Sequence, residues 1–218
     1  MDYRSIISKG CASYNATHNA TNNATRFCGA LTGDKEEIEM KPLSFQIRVL
    51  LTLGALLIVI EVANLLTGNA LNQFGVVPRS LSHLPYIFTA PFLHGTPTHL
   101  MANLVPLLLF MWLTMQWGRR TFLIATLSAL IIGGLGVWLF GRTATHIGAS
   151  GMVYGYFGFL VLAGFRSKKV KYLLISLLVA ALYGGMLVGV LPTSKFISFE
   201  YHLFGFIGGL IAAWHWAR

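Results

Sequence analysis

From about residue 46 onward, long apolar runs alternate with short polar breaks, and the pattern predicts helices over roughly 46–66, 99–117, 121–141, 150–165, 171–191 and 200–217. Several of these runs approach the ~20 residues that an α-helix needs to cross the hydrocarbon core of a bilayer; the run at 150–165 is short. A short helix can begin below the membrane surface when its polar end faces a cavity within the protein. The connection at 67–98 is rich in aromatics and prolines and too apolar for a plain solvated loop. It is expected to lie in the outer membrane interface. The expected architecture is an all-α membrane protein, a bundle of six transmembrane helices with a long interfacial first loop.

The first 39 residues break this pattern. "NATHNATNNAT" is a polar run of low complexity, followed by the acidic "GDKEEIE". This segment has no apolar h-region, so it does not read as a secretory signal peptide. Asn15, Asn19 and Asn23 head N-x-T sequons, which matter only in a glycosylating lumen. The sequence predicts a disordered tail or extension at 1–39 and the bundle at 40–218, with Met40 resembling an ordinary start.

Composition narrows the class. Of 218 residues, 55% are hydrophobic and 11% charged, against about 25% charged in soluble domains. The net charge of +9 comes from basic residues between the apolar runs and forms no stripe with polar recognition residues, so it reads as topology and not as a nucleic-acid surface. Lys41 and Arg48, Arg119 and Arg120, then Arg166, Lys168, Lys169 and Lys171 cluster on alternate connections; Arg79, Arg142 and Lys195 stand alone on the others. The positive-inside rule then predicts both termini in the cytoplasm, with a bacterial inner membrane as the expected setting. Beyond residue 39 the only carboxylates are Glu61 and Glu200, which excludes a membrane aspartyl protease, and no HExxH zinc motif occurs. Cys11 and Cys28 both fall in the tail, so the bundle has no disulfide framework. No cofactor or metal is expected.

With this topology, spans two, four and six all run from outside to inside, and their first residues share the outer leaflet. They begin with His99 and Asn103, with Ser150, and with His202. Polar side chains at membrane depth usually face an interior cavity, which makes them functional candidates. His99 and Asn103 are i and i+4 and share a helix face, as do Ser150 and Tyr154. Ser150 opens its helix, where free N–H groups and the helix dipole favour developing negative charge. A serine needs a base, and with no aspartate at hand a Ser–His dyad is more plausible than a triad. A packing explanation stands beside this chemistry. Gly148, Gly151, Gly155 and Gly158 around Ser150 could form a small-residue seam, and Gly205 with Gly209 forms a GxxxG that packs helices far more often than it catalyses. Glu61 and Asn64, i and i+3 on span one, read as an inward-facing polar pair without an assigned role.

The motifs "GASG" at 148–151, "HLMAN" at 99–103 and "HLFGFIGG" at 202–209 resemble the GxSG, HxxxN and HxxGxxxG of the rhomboid family of intramembrane serine proteases. The resemblance covers about residues 40–218 and implies the six-helix core without an added seventh helix. It implies Ser150 as nucleophile and His202 as general base, with His99, Asn103 and the Ser150 amide as the oxyanion site. Tyr154 would stack on His202, Gly148, Gly151 and His94 would support the site, and Gly205 and Gly209 would let span six approach span four. The implied partners are transmembrane protein substrates within membrane lipid, admitted between spans two and five. Two features depart from the family: its first-loop Trp-Arg pair is missing, with Arg79 and "YIFTAPFLHG" in that region, and Gln116 stands where many members have a glutamate. The competing function is a non-catalytic rhomboid-like protein that binds transmembrane helices.

Overall fold

The computed structural model describes residues 43–192 and 197–217; the tail read at 1–39 lies outside them. Among the described residues, six α-helices follow one another: α1 (Leu43–Leu66), α2 (Pro97–Met115), α3 (Arg119–Phe140), α4 (Ser150–Ser167), α5 (Val170–Tyr183) and α6 (Phe199–Trp216). No strand occurs among the described residues; one isolated bridge joins Val76 to His146. By length and apolar composition, α1, α2, α3 and the stretch Val170–Val190 can each cross a membrane. The two that fall short, α4 and α6, carry more glycine and polar residues and pack most extensively, α6 against α4 and α3. Their sequences are compatible with a place inside the bundle because neighbouring helices cover them.

Local chemistry explains the helix starts. Thr96 caps α2 by accepting the His99 N–H at 3.1 Å, and Pro97 follows at the first helical position, where its missing N–H costs nothing. Ser198 caps α6, accepting the Tyr201 N–H at 3.3 Å. α4 begins differently. Gly148 has φ +115°, a conformation that side-chain-bearing residues rarely adopt, and the helix starts two residues later without a side-chain cap.

The run expected as one helix over 171–191 is in fact two pieces. α5 ends at Tyr183 and the chain continues as a 3₁₀ segment, Gly184–Val190. Gly184, Gly185 and Gly189 explain the change, since glycine holds an α-helix weakly and a tighter turn takes over.

The long first connection is built of three short 3₁₀ turns at Ala70–Phe74, Leu81–Ile87 and Ala90–Phe92. Asn64 ties it to α1: its side chain donates to Asn72 Oδ1 at 2.9 Å and the His94 carbonyl at 3.0 Å, and accepts the Leu71 N–H at 3.0 Å. Arg79 and Trp138 tie it to α3. Arg79 donates to the Gly141 carbonyl at 2.9 Å, while the Trp138 indole donates to the Ser80 carbonyl at 2.8 Å. These bonds anchor the loop without the first-loop Trp-Arg pair of the family. Glu61 and Asn64 are both buried, and Asn64 supplies the connections.

Candidate active site

Glycine brings the helices of the site together. A Cβ on Gly205 would run into the Gly151 carbonyl, and one on Gly209 into the Gly155 carbonyl and the Phe159 amide. α4 and α6 therefore meet backbone to backbone along one turn after another. The Gly151 Cα faces the Tyr201 ring across the same contact. His202 lies one turn before Gly205, and Ser150 lies immediately before Gly151, so the contact carries both to the same end of the helix pair.

The two key side chains share that end. The Tyr154 and His202 rings stack with centroids 4.0 Å apart and planes 9° from parallel. Ser150 is four residues before Tyr154 and therefore one turn above it on the same face of α4. Ser150 is 7% exposed and His202 8%. No hydrogen bond joins them in this structure. In ligand-free enzymes such bonds are often long and tighten only when substrate is bound.

His202 is oriented from its other side. Its Nδ1 lies 2.9 Å from the Gly189 carbonyl oxygen. A carbonyl can only accept, so Nδ1 carries the proton and Nε2 keeps a free lone pair. A backbone carbonyl thus fixes the orientation of the ring. The neighbouring Met186 carbonyl accepts from the Tyr154 hydroxyl at 3.0 Å. Both acceptors come from the 3₁₀ segment after α5. Sequence reasoning missed them because a backbone carbonyl leaves no trace in residue type. The glycines there were the only signal: a Cβ on Gly189 would strike the Tyr154 hydroxyl.

The third side of the site is made by α2 and the loop before α4. The His99 ring is the nearest neighbour of Gly148, where a Cβ would come within 2.8 Å of it, and Asn103 Nδ2 lies close behind at 3.7 Å. Asn103 also donates to the His99 carbonyl at 3.1 Å. Among the described residues, the amides of Ser150 and Gly151 have no acceptor, so α4 starts with unused N–H donors. His94 is fully buried beneath this loop. Its Nε2 accepts the Ala149 N–H at 3.3 Å, and its ring meets that of His99 edge-on with centroids 5.1 Å apart. Burial holds the His94 imidazole down at about 4, so it is neutral at ordinary pH. No cluster of metal-binding side chains occurs among the described residues.

Of the candidates named from the sequence, Ser150, His202, His99, Asn103, Tyr154, Gly148, Gly151, Gly205 and His94 therefore lie toward one end of the bundle, and Gly209 lies deeper, at the middle of the α4–α6 contact. The rhomboid domain matches residues 82–218, which contain every one of them. The chain belongs to the rhomboid family. An uncharacterized protein of Mycobacterium tuberculosis is 37% identical over 174 residues, 76% of this chain and 72% of its own. An uncharacterized protein of Mycobacterium leprae is 34% identical over the same length, covering 69% of its own chain. A Bacillus subtilis protein named "Putative rhomboid protease YdcA" is 29% identical over 128 residues, 57% of this chain and 63% of its own. As a rhomboid with several apolar helices long enough to span, the chain is an integral membrane protein.

Proposed function

We propose that this rhomboid is an intramembrane serine endopeptidase that cleaves peptide bonds in or near transmembrane segments of membrane-protein substrates. The observation that carries the reading is His202, stacked on Tyr154, with Nδ1 committed to the Gly189 carbonyl and Nε2 left as a base on the face of α4 that Ser150 opens. Ser150 Oγ attacks the scissile carbonyl while His202 Nε2 takes its proton. The resulting oxyanion is met by the free Ser150 N–H at the α4 terminus, by Asn103 and by His99. His202 then returns the proton to the leaving amine. Water attacks the acyl-enzyme with His202 again as base, and Ser150 regains its hydrogen.

The same reading takes all six helices as spans, with 67–96 in the outer interface and both termini in the cytoplasm. Arg119, Arg120, Arg166, Lys168 and Lys169 at the ends of α2–α3 and α4–α5 support it. Water reaches Ser150 from the opposite face.

Detergent-purified protein incubated with a model transmembrane substrate tests the chemistry. Cleavage should vanish in Ser150→Ala and His202→Ala, and fluorophosphonate labelling should vanish in Ser150→Ala. His99→Ala and Asn103→Ala should each reduce kcat by roughly 10²–10³, the usual loss of one oxyanion donor. Substrate binding without cleavage by the unaltered protein would favour the non-catalytic reading.

A further inference from the structure

His146 stands four residues before Ser150 and takes no part in the chemistry above. It is 3% exposed, and its backbone pairs with Val76 through two hydrogen bonds of 3.0 and 2.8 Å. Its ring bridges two segments. Nε2 lies 3.0 Å from the Arg142 carbonyl, and Nδ1 lies 2.6 Å from Ser198 Oγ. Since the carbonyl can only accept, Nε2 holds the proton and Nδ1 accepts from the Ser198 hydroxyl. The Ser198 oxygen in turn accepts the Tyr201 N–H and so caps α6, and the His202 N–H bonds the Ser198 carbonyl at 3.2 Å. Arg142 closes the same junction: its guanidinium reaches the Ile197 carbonyl and pairs with Glu200 at 3.5 Å, and its N–H donates to the Glu200 carboxylate at 3.2 Å.

Ser198 is four residues before His202, just as His146 is four before Ser150. The two chain segments that lead into the dyad are therefore joined to each other at equal distance from its two members. Below this point α4 and α6 touch through glycines, which let the backbones close together, and their next side-chain bonds lie at the far end, from Arg166 to the Trp214 carbonyl and from Ser167 to the Ala217 carbonyl. At the Ser150 end, the junction is where polar side chains oppose sliding or rotation of one helix on the other.

We propose that His146 and Ser198 are positioning residues, a polar latch that fixes where α6 begins relative to α4 and so aims His202 at Ser150. The inference rests on the Ser150–His202 reading. The latch acts only through geometry, and displacement of a catalytic group by about 1 Å can cost on the order of 10²-fold in rate.

The experiment compares His146→Phe, His146→Gln, Ser198→Ala and the double variant His146→Phe/Ser198→Ala in detergent. Phenylalanine keeps the bulk of the ring without its polar atoms. Glutamine offers an amide oxygen to Ser198 and an amide N–H to the Arg142 carbonyl. We expect His146→Phe and Ser198→Ala each to lower kcat and the rate of fluorophosphonate labelling by roughly tenfold to hundredfold, with KM within about twofold. The double variant should lose clearly less than the product of the two single losses, because the bond between the residues is lost only once. His146→Gln should recover most of the loss. Wild-type kcat in Ser198→Ala, additive losses in the double variant, or a folded His146→Gln no better than His146→Phe would each overturn the latch. Should His146→Phe fail to fold, Ser198→Ala and His146→Gln still decide the matter. Failure of the underlying reading is seen separately, as cleavage that survives Ser150→Ala.

Discussion

α6 and α5 flank α4 and are held in opposite ways. α6 meets α4 backbone to backbone through Gly151, Gly155, Gly205 and Gly209, and its start is tied into the loop before Ser150. α5 buries only Ser176 and Val179 and turns Leu174, Leu177, Leu178 and Leu182 outward. Its side-chain hydrogen bonds lie in its first half, while the second half holds by the buried Val179 and by the Tyr183 ring packed edge-on against Phe110. Ser176 Oγ accepts the Gly164 N–H at 2.9 Å and donates to the Leu160 carbonyl, and Tyr172 donates to the Gln116 carbonyl at 2.8 Å while its ring stacks on Trp117. At its far end the segment offers Met186 and Gly189 carbonyls to Tyr154 and His202. α6 is thus fixed along its contact with α4, whereas α5 is held by side-chain hydrogen bonds in its first half and by backbone carbonyls after its end. On the proposed reading, the α5 side is the one that can yield to a substrate helix while α6 keeps Ser150 and His202 in register.

The largest expected effect comes from breaking the fixed side. Gly209→Val places a branched side chain against the Gly155 carbonyl and the Phe159 amide, with no flexible neighbour to give way. Overpacking usually costs about 1–3 kcal/mol, and this site belongs at or above the top of that range because backbone must move. Thermal unfolding in detergent should show a collapse of stability together with loss of activity. A fully stable Gly209→Val would mean that α4 and α6 are not locked as described.

Acid should weaken the same side next. His94 and His146 are both buried in the loops over the fixed half. Burial pushes both imidazoles below their ordinary range, His94 to about 4; for His146 the Arg142 carbonyl and the Glu200 carboxylate act less strongly the other way, and the Arg142 charge adds slightly to the lowering. A histidine with a lowered folded pKa favours the neutral form, so its stabilisation is complete above about 6.5 and is lost as pH falls toward the folded value. Going from pH 7 to 5 should cost on the order of 1 kcal/mol, visible as a falling melting temperature, and the slope should flatten in His146→Gln. An unchanged slope would exclude His146 as a contributor. On the proposed reading, activity should also fall with acid for a second reason, since His202 must be neutral to act as base.

A smaller effect is expected on the α5 side. Ser176→Ala removes both bonds from α5 to the α4 backbone, and a net hydrogen bond contributes about 1 kcal/mol. We expect a modest fall in melting temperature and faster cleavage of a transmembrane substrate, as α5 yields more easily. Slower cleavage with intact folding would show that α5 must stay in place for catalysis. Smallest of all, Leu178→Ala on the outward face of α5 should change stability by less than about 0.5 kcal/mol, which marks that face as lipid-facing; a large loss would reveal a partner there.

The periodicity of the apolar runs was enough to place six helices within a few residues of their observed ends, save for the end of α5, because burial and membrane solvation both act on residue type. It was also enough to mark Ser150, His99, Asn103 and His202 as polar residues at helix starts, and the glycines around them as places of close approach. Three things escaped it. The run after 171 looked continuous because its glycines are apolar by composition, yet their backbone freedom lets the α-helix end at Tyr183. Glu61 and Asn64 do face inward as a pair, but nothing local marked the loop contacts of Asn64, to Asn72 and the His94 carbonyl, 8 and 30 residues away. His146 gave no sign of its partner Ser198, 52 residues on. The sequence by itself determined which elements form and which side chains could do chemistry, since those depend on the residue and its near neighbours. Only the tertiary structure decided which nitrogen of His202 is free and what holds it, because those bonds run to backbone carbonyls and to residues distant along the chain, where no local pattern reaches.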